Sequence, residues 1–196
     1  MGLYVAPSAR RTASIPWHRG FNMAMHNHIR NGDFSSGDFT HWIAKAYDTR
    51  MSVELWQSSH AARMVGGRSA GQNLASETFT VSPGRFIFSF DVQAPDAVPL
   101  ENSAHRRFHI EGREKVDNPL LNAFLTFTVW ATHGNDGTAE VWFEQAYVDP
   151  KKQRINLEGV IPPGFAQVDV HFGIPNDPFG NKGPYFIDNV QFLMAA

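Results

Sequence analysis

Apolar and polar residues alternate in four stretches of this chain, at 85–93, 124–130, 140–148 and 166–174. Alternation with a period of two, in segments rich in Val, Phe, Thr and Trp, predicts β-strands with one buried face and one solvated face. The side chains that this pattern places away from the core are Asp91, Gln93, Thr126, Thr128, Trp130, Trp142, Glu144, Asp169 and His171.

The stretch 140–148 mixes large apolar side chains on both sides. We assign Val141, Phe143 and Tyr147 to one face, as the core side, and Trp142 and Glu144 to the opposite, solvated face. Alternation alone does not say which of two packed sheets a strand joins, so the solvated residues of different strands need not share a surface.

Turn-forming residues separate these stretches. Ser82-Pro83-Gly84 precedes the first, Gly134 to Gly137 lies between the second and third, and Pro162-Pro163-Gly164 precedes the fourth. No long helical pattern interrupts them. Many short strands with turns between them predict an all-β fold, an antiparallel β-sandwich or barrel.

The first 29 residues differ from the rest of the chain. No acidic residue precedes Asp33, whereas Arg10, Arg11 and Arg19 fall in this segment, and no hydrophobic period is visible. We therefore predict an N-terminal arm at 1–29, followed by one β-sandwich domain at 30–196. The arm packs along the domain or against a neighbouring subunit, which allows a homo-oligomer or a protein partner, or it is a poorly ordered terminus.

Composition narrows the function. The 196 residues carry a net charge of −2, which gives no basic field for nucleic acid or an anionic membrane, and they include no Cys. No apolar run is long enough to insert into a membrane, and no signal peptide is visible, so we expect a cytoplasmic protein or one exported without a leader. The 16 Phe against 4 Tyr predict a Phe-rich core.

Three motifs recur in the same order as in a known group of domains. The chain opens with Asn31-Gly32-Asp33-Phe34 and Trp42, continues with Val81-Ser82-Pro83-Gly84, and closes with Tyr185-Phe186-Ile187-Asp188-Asn189-Val190. This order resembles the carbohydrate-binding modules of families 4, 9, 16 and 22, which are galactose-binding-like jelly rolls. The resemblance covers residues 30–194. Ser35 stands where these modules commonly carry an acidic residue, and the connection 95–121 is longer than expected.

The resemblance implies a lectin-like, carbohydrate-binding jelly roll and a structural calcium ion. Calcium takes six to eight oxygen ligands. Asp33, Ser35 and Asp188 are the expected metal ligands, with carbonyls of the Gly67–Ser69 turn. The alternative is that Asp33 caps a turn and Asp188 binds backbone amides.

A sugar site needs acidic, amide or imidazole groups for hydrogen bonds and aromatic rings for stacking. The predicted carbohydrate-binding residues are Trp130, Trp142, Glu144, Asp169, His171, Asp91 and Gln93. A second candidate is an edge site at the ends of the strands, formed by Trp56, Arg63, Arg68, Asn176, Asp177, Asn181 and Lys182.

Three other functions stay open. The pairs His26/His28 and His105/His109 lack further ligands for a transition metal. The chain contains no G-x-S-x-G elbow, P-loop or dinucleotide motif, so a polysaccharide hydrolase or lyase would depend on Glu144 with Asp169. The main alternative to a non-catalytic carbohydrate-binding domain is a structural or protein-interaction module, such as a tail or toxin accessory protein.

Overall fold

A computed structural model describes residues 25–46, 51–65, 72–97, 123–133, 137–174 and 183–195. These residues form twelve β-strands and no helix, and so include no helix that could cross a membrane. The strands are β1 (Met25–Asn27), β2 (Trp42–Lys45), β3 (Ser52–Trp56), β4 (Ser59–Met64), β5 (Gln72–Ser76), β6 (Phe79–Thr80), β7 (Gly84–Gln93), β8 (Ala123–His133), β9 (Thr138–Val148), β10 (Gln153–Ile161), β11 (Phe165–Ile174) and β12 (Tyr185–Ala195).

The strands form two antiparallel sheets. Sheet A has the order β10-β7-β12-β4-β3, and β1 also pairs with β12. Sheet B has the order β2-β5-β11-β8-β9, and β6 also pairs with β11. Sequence neighbours such as β4 and β5 thus lie in different sheets, as in a jelly roll. The predicted all-β antiparallel sandwich is confirmed.

Phenylalanine rings fill the space between the sheets. The ring of Phe90, on β7 of sheet A, lies 5.1 Å from that of Phe127 and 4.8 Å from that of Phe172, both on sheet B. The Phe88 ring lies 5.8 Å from the same Phe172 ring. All four side chains are buried. Burial of so many rings supplies much of the hydrophobic free energy of folding.

The opening motif docks onto the last strand. The carbonyl of Gly32 accepts a hydrogen bond of 2.8 Å from the amide of Val190. Phe34 is fully buried and its ring lies 5.3 Å from that of Trp42, whose indole NH donates to the Asn31 carbonyl. The motifs that carried the resemblance therefore hold the two ends of the domain together.

Residues 25–27, which the sequence assigned to the arm, form strand β1. Met25 to Asn27 pair with Leu193 to Ala195. Asn27 also accepts hydrogen bonds through its side-chain oxygen from the amides of Ile29 and Phe192. Residues 1–24 of the predicted arm and most of the long 95–121 connection lie outside the described residues.

Three of the four predicted strands have the predicted faces, but β9 is inverted. Trp130 pairs with Val141, and Val129 pairs with Trp142. Since Val129 is fully buried, Trp142 lies on the inner side, where its ring meets Phe86 edge-on at 5.1 Å. Val141, 41% exposed, lies on the outer side. The prediction failed because β9 is an edge strand and carries large apolar side chains on both sides.

Glu144 also lies on the inner side of β9, opposite Phe127, and remains exposed at the sheet edge. Glu140 occupies the same side, opposite Ala131. Charged side chains that point inward from an edge strand hinder pairing with a strand of another molecule. We therefore interpret Glu140 and Glu144 as protection of the sheet B edge.

One guanidinium joins three strands on the outer surface of sheet A. Arg154 of β10 donates to Asp91 and Ser89 of β7, and to the Asn189 carbonyl and the Gln191 side chain of β12, at 2.6–3.1 Å. Asn189 has a left-handed backbone, φ 51°, at an irregularity in the pairing of β12 with β7. Arg154 thus stabilises the bulge in the last strand.

Replacing Arg154 with Met should lower the free energy of unfolding by about 2–4 kcal/mol at pH 7, because it removes the charged donor of four hydrogen bonds to acceptors on β7 and β12. Urea denaturation measures the loss. The exposed neighbour Lys151, also replaced with Met, is the control and should change stability by less than about 0.5 kcal/mol. Equal losses in both variants would contradict the bridging role.

The loss of stability caused by Arg154→Met should depend on pH. Burial raises the pKa of Asp91, but hydrogen bonds and charges from Arg154 and Lys152 outweigh burial and hold that pKa below its usual value. The stabilisation is then fully present above the unfolded pKa of about 4 and is lost as the pH falls through the lower folded pKa. The free energies of unfolding of the wild type and of Arg154→Met should therefore become more similar below about pH 4.

Candidate functional site

The outer surface of sheet B carries an exposed aromatic and aliphatic cluster. Trp130 on β8 is 40% exposed, and it lies opposite Val141 on β9. Phe143, two residues further along β9 and 54% exposed, lies opposite Thr128. We call this surface, centred on β11, β8 and β9, the Trp130 face. Diagonal neighbours on adjacent strands are close enough for large side chains to form one apolar patch.

Polar groups adjoin this patch on β11. Asp169 lies directly opposite Trp130, and His171 lies opposite Thr128. The Nε2 atom of His171 lies 2.8 Å from a carboxylate oxygen of Asp169, and the side chains of both are 26% exposed. The His171 ring is 6.0 Å from the Trp130 ring. The three predicted residues Trp130, Asp169 and His171 therefore converge on one surface.

Two small residues, Gly173 of β11 and Ala75 of β5, adjoin this cluster. Gly173 lies between Asn73 of β5 and Thr126 of β8, and the Thr126 hydroxyl donates 2.9 Å to the Gly173 carbonyl. A Cβ at Gly173 would collide with that hydroxyl. In the next row, Ala75 of β5 flanks His171. The combination of exposed apolar rings and hydrogen-bonding groups suits a ligand with both apolar and hydroxylated surfaces.

Asp91 and Gln93, also predicted to bind sugar, lie on the opposite side of the molecule. Both project from β7 onto the outer surface of sheet A, where Asp91 bonds Arg154 and contacts Lys152 at 3.2 Å. The Gln93 side chain accepts from the Trp56 indole and donates to the Pro150 carbonyl. Their polar atoms therefore stabilise sheet A and do not reach the Trp130 face.

Trp142 and Glu144 also do not reach the Trp130 face, because they lie on the inner side of β9. A Cβ at Gly159 on β10 would collide with the Phe86 ring and lie 2.8 Å from the Trp142 indole nitrogen, so a glycine makes room for both rings. Glu144 and Asp169 lie on opposite sides of sheet B, and their carboxylates do not form the pair that a glycosidase would need.

Val141 and Phe143 belong to the Trp130 face, although the alternation of β9 does not predict this. They were assigned to the core because they belong to the more apolar set of β9. The length of the hairpin loop between β8 and β9 could have predicted which face each side chain of β9 occupies. His133 pairs with Thr138, so a four-residue loop fixes Trp130 opposite Val141, and residues opposite each other share a face.

The predicted calcium ligands have other partners. One Asp33 carboxylate oxygen accepts from the amide and hydroxyl of Ser35, and the Asp188 carboxylate accepts from the Ser59 hydroxyl and the Asn189 amide. Within the described ranges, no group of three His, Asp or Glu side chains could hold a metal ion. The Gly67–Ser69 carbonyls, which the resemblance adds to these ligands, lie outside the described residues. Calcium binding stays a prediction, which thermal unfolding with calcium and with a chelator tests.

Most of the predicted edge site is outside the part of the chain that the structure describes, namely Arg68, Asn176, Asp177, Asn181 and Lys182. Trp56 lies over sheet A, with its ring stacked on Phe186 at 3.7 Å. The His26 and His28 rings meet edge-on at 4.8 Å, with His28 also stacked on Phe79 at 5.7 Å. The second pair, His105 and His109, is likewise outside the described ranges.

No model of a known protein family and no curated protein matches the sequence. Solved structures do match the fold. The enzymatically active domain of tailspike protein 4 from bacteriophage CBA120 gives a TM-score of 0.57 at 16% identity, over 86% of this chain and 21% of that one. The present chain thus spans about a fifth of the tailspike chain.

Two carbohydrate-binding modules match over nearly their whole length. The family 22 xylan-binding domain of Paenibacillus barcinonensis Xyn10C gives a TM-score of 0.51 at 11% identity, over 82% of this chain and 96% of that one. A family 61 module in complex with β-1,4-galactotriose gives a TM-score of 0.50 at 11% identity, over 85% of this chain and 97% of that one. The chain therefore has the jelly-roll fold of carbohydrate-binding modules, as the resemblance implied.

Proposed function

We propose that this chain is a non-catalytic carbohydrate-binding domain and that its Trp130 face receives an oligo- or polysaccharide. The observation that carries the proposal is the exposed Trp130 ring beside the hydrogen-bonded Asp169–His171 pair. A pyranose ring has a weakly apolar face of C–H groups and a rim of hydroxyls. An exposed indole next to paired acceptors complements both parts of such a ring.

The other side of the domain supports the proposal less well. Trp56 is stacked on Phe186, and its NH bonds Gln93, so the polar edge of that indole is already occupied. Four of the seven exposed large hydrophobic side chains of the described residues lie on the outer surface of sheet B: Ile43, Trp130, Val141 and Phe143. Exposed apolar clusters of this kind commonly mark a binding surface.

Affinity electrophoresis tests the proposal. The full chain is run through native gels containing β-1,4-galactan, xylan, mixed-linkage β-glucan or no polysaccharide. Galactan and xylan are natural probes because similar modules are a galactotriose complex and a xylan-binding domain. We expect retardation in at least one gel. Unchanged mobility in all gels, and on an array of bacterial and algal glycans, would refute the proposal.

The competing proposal is a structural module of a larger assembly. It is favoured by the similarity to one fifth of the enzymatically active domain of a bacteriophage tailspike, so that the matched part is a small module within a larger chain. No glycan binding, together with a stable oligomer that dissociates when residues 1–24 are deleted, would support this alternative. Glycan binding by a monomer would favour the carbohydrate-binding domain.

A further inference from the structure

The hydrogen bond between His171 and Asp169 has a defined donor and a defined acceptor. A carboxylate carries no proton and can only accept hydrogen bonds, so a neutral His171 ring makes this 2.8 Å contact with its proton on Nε2. The hydrogen bond at one ring nitrogen decides the state of the other. The Nδ1 atom of His171 is then unprotonated and is an acceptor.

We propose that Asp169 is a positioning residue that fixes this tautomer, so that the Trp130 face presents His171 Nδ1 and an Asp169 oxygen as acceptors for the hydroxyls of an uncharged glycan. The inference rests on the proposed function for its ligand, but not for the tautomer itself. Both side chains are partly exposed, and the pair adjoins the Trp130 ring. A sugar ring stacked on Trp130 would therefore have hydroxyls within reach of both acceptors.

The charges on this surface favour an uncharged ligand. Asp169 lies at the centre of the face, on β11. Among the described side chains of the face, Lys45 carries the one permanent positive charge, and it lies on β2, at the far edge of the sheet from β9. A uronic acid or sulfated sugar on Trp130 would bring a second negative charge close to Asp169, and no Lys or Arg among the described side chains of the face lies beside Asp169, which is unfavourable.

The tautomer can be measured without any ligand. Long-range ¹H–¹⁵N NMR spectra of the full chain at neutral pH distinguish a protonated from an unprotonated ring nitrogen. We expect His171 to show a protonated Nε2 and an unprotonated Nδ1. Replacing Asp169 with Ala should remove the bias and give the mixed tautomers of a free imidazole, an outcome that a purely structural role of Asp169 would not produce.

The chain contains a matched control. His41 contacts Glu77 at 2.9 Å through Nδ1 instead of Nε2, at the end of the sheet and outside the Trp130 face. His41 should therefore show the opposite tautomer, and Glu77→Ala should change the His41 signals alone. A His171 spectrum that stays the same in Asp169→Ala, or a doubly protonated His171 ring in the wild type, would overturn the positioning role.

Binding measurements test the ligand class. With whichever neutral polysaccharide retards the wild type, Asp169→Ala should weaken binding about 10- to 100-fold, as expected for lost hydrogen bonds to a charged acceptor. Polygalacturonate should not retard the wild type. Stronger retardation by polygalacturonate than by every neutral polysaccharide, or full affinity in Asp169→Ala, would overturn the inference. No retardation by any polysaccharide would instead remove the proposed function, while the NMR result still decides the tautomer.

Discussion

Replacing Trp130 with Ala should lower glycan affinity by about 30-fold or more, which corresponds to about 2 kcal/mol, the loss typical of a central aromatic contact. The indole is 40% exposed on the free surface of sheet B, so its removal opens no core cavity. The melting temperature should stay close to that of the wild type. Isothermal titration calorimetry or affinity electrophoresis, with the polysaccharide that retards the wild type, measures the loss of affinity.

Trp56→Ala is the matched control for this variant, because it removes an indole from the outer surface of the other sheet. It should leave glycan affinity unchanged, although loss of the contacts with Phe186 and Gln93 should cost stability. If Trp56→Ala abolished binding while Trp130→Ala bound normally, the site would lie on sheet A or at its edge.

Gly32→Ala should destabilise the fold by about 3 kcal/mol or more, because there is no room for a methyl group at this position. A Cβ on Gly32 would overlap the carbonyl oxygen of Val190, which is backbone in the last strand and cannot rotate away. The same approach carries the hydrogen bond from the Val190 amide to the Gly32 carbonyl. Urea denaturation and the melting temperature measure the loss.

Gly137→Ala is the control for Gly32→Ala, because it distinguishes the cost of a steric clash from the cost of a left-handed backbone. Gly137 has a left-handed backbone, φ 74°, but a Cβ added there would meet no atom within 4 Å, so the cost should be about 1–2 kcal/mol. Gly32 has no positive φ, and its cost comes from the contact alone. Equal destabilisation by the two substitutions would contradict the close docking of the opening motif on β12.

The sequence predicted the fold well because its ordered motifs have structural roles. Phe34 is an interior anchor, Gly32 permits the approach to Val190, and Asn31 donates to the carbonyls of Asp38 and Thr40. Hydrogen bonds from Thr40 and Ser36 also lower the pKa of Asp38 to about 2 in the same loop. These contacts stabilise the jelly roll, whereas the proposed binding site depends on other residues, so the motifs specify the fold but not the ligand.

The candidate site was predicted only in part. Trp130, Asp169 and His171 were found because the alternation in β8 and β11 is unambiguous. Phe143 was missed because β9 has large apolar residues on both sides, and its face depends on pairing with β8. Asp91 was placed with the site because its alternation is equally clear, but its strand β7 joins the other sheet. For Phe143 the deciding information is the register of the β8–β9 hairpin, and for Asp91 it is the pairing of β7 with strands that are distant in the chain; alternation within one strand contains neither.

The central claim, that the Trp130 face binds glycan, can be tested directly with the indole NH signals of the five tryptophans. The protein is titrated with an oligosaccharide fragment of the polysaccharide that retards it in the gel, and ¹H–¹⁵N spectra are recorded. The Trp130 signal should shift most. The signals of Trp42 and Trp142, packed against the core, and of Trp56, bonded to Gln93, should move little. A titration that shifts Trp56 and leaves Trp130 unchanged would contradict the claim.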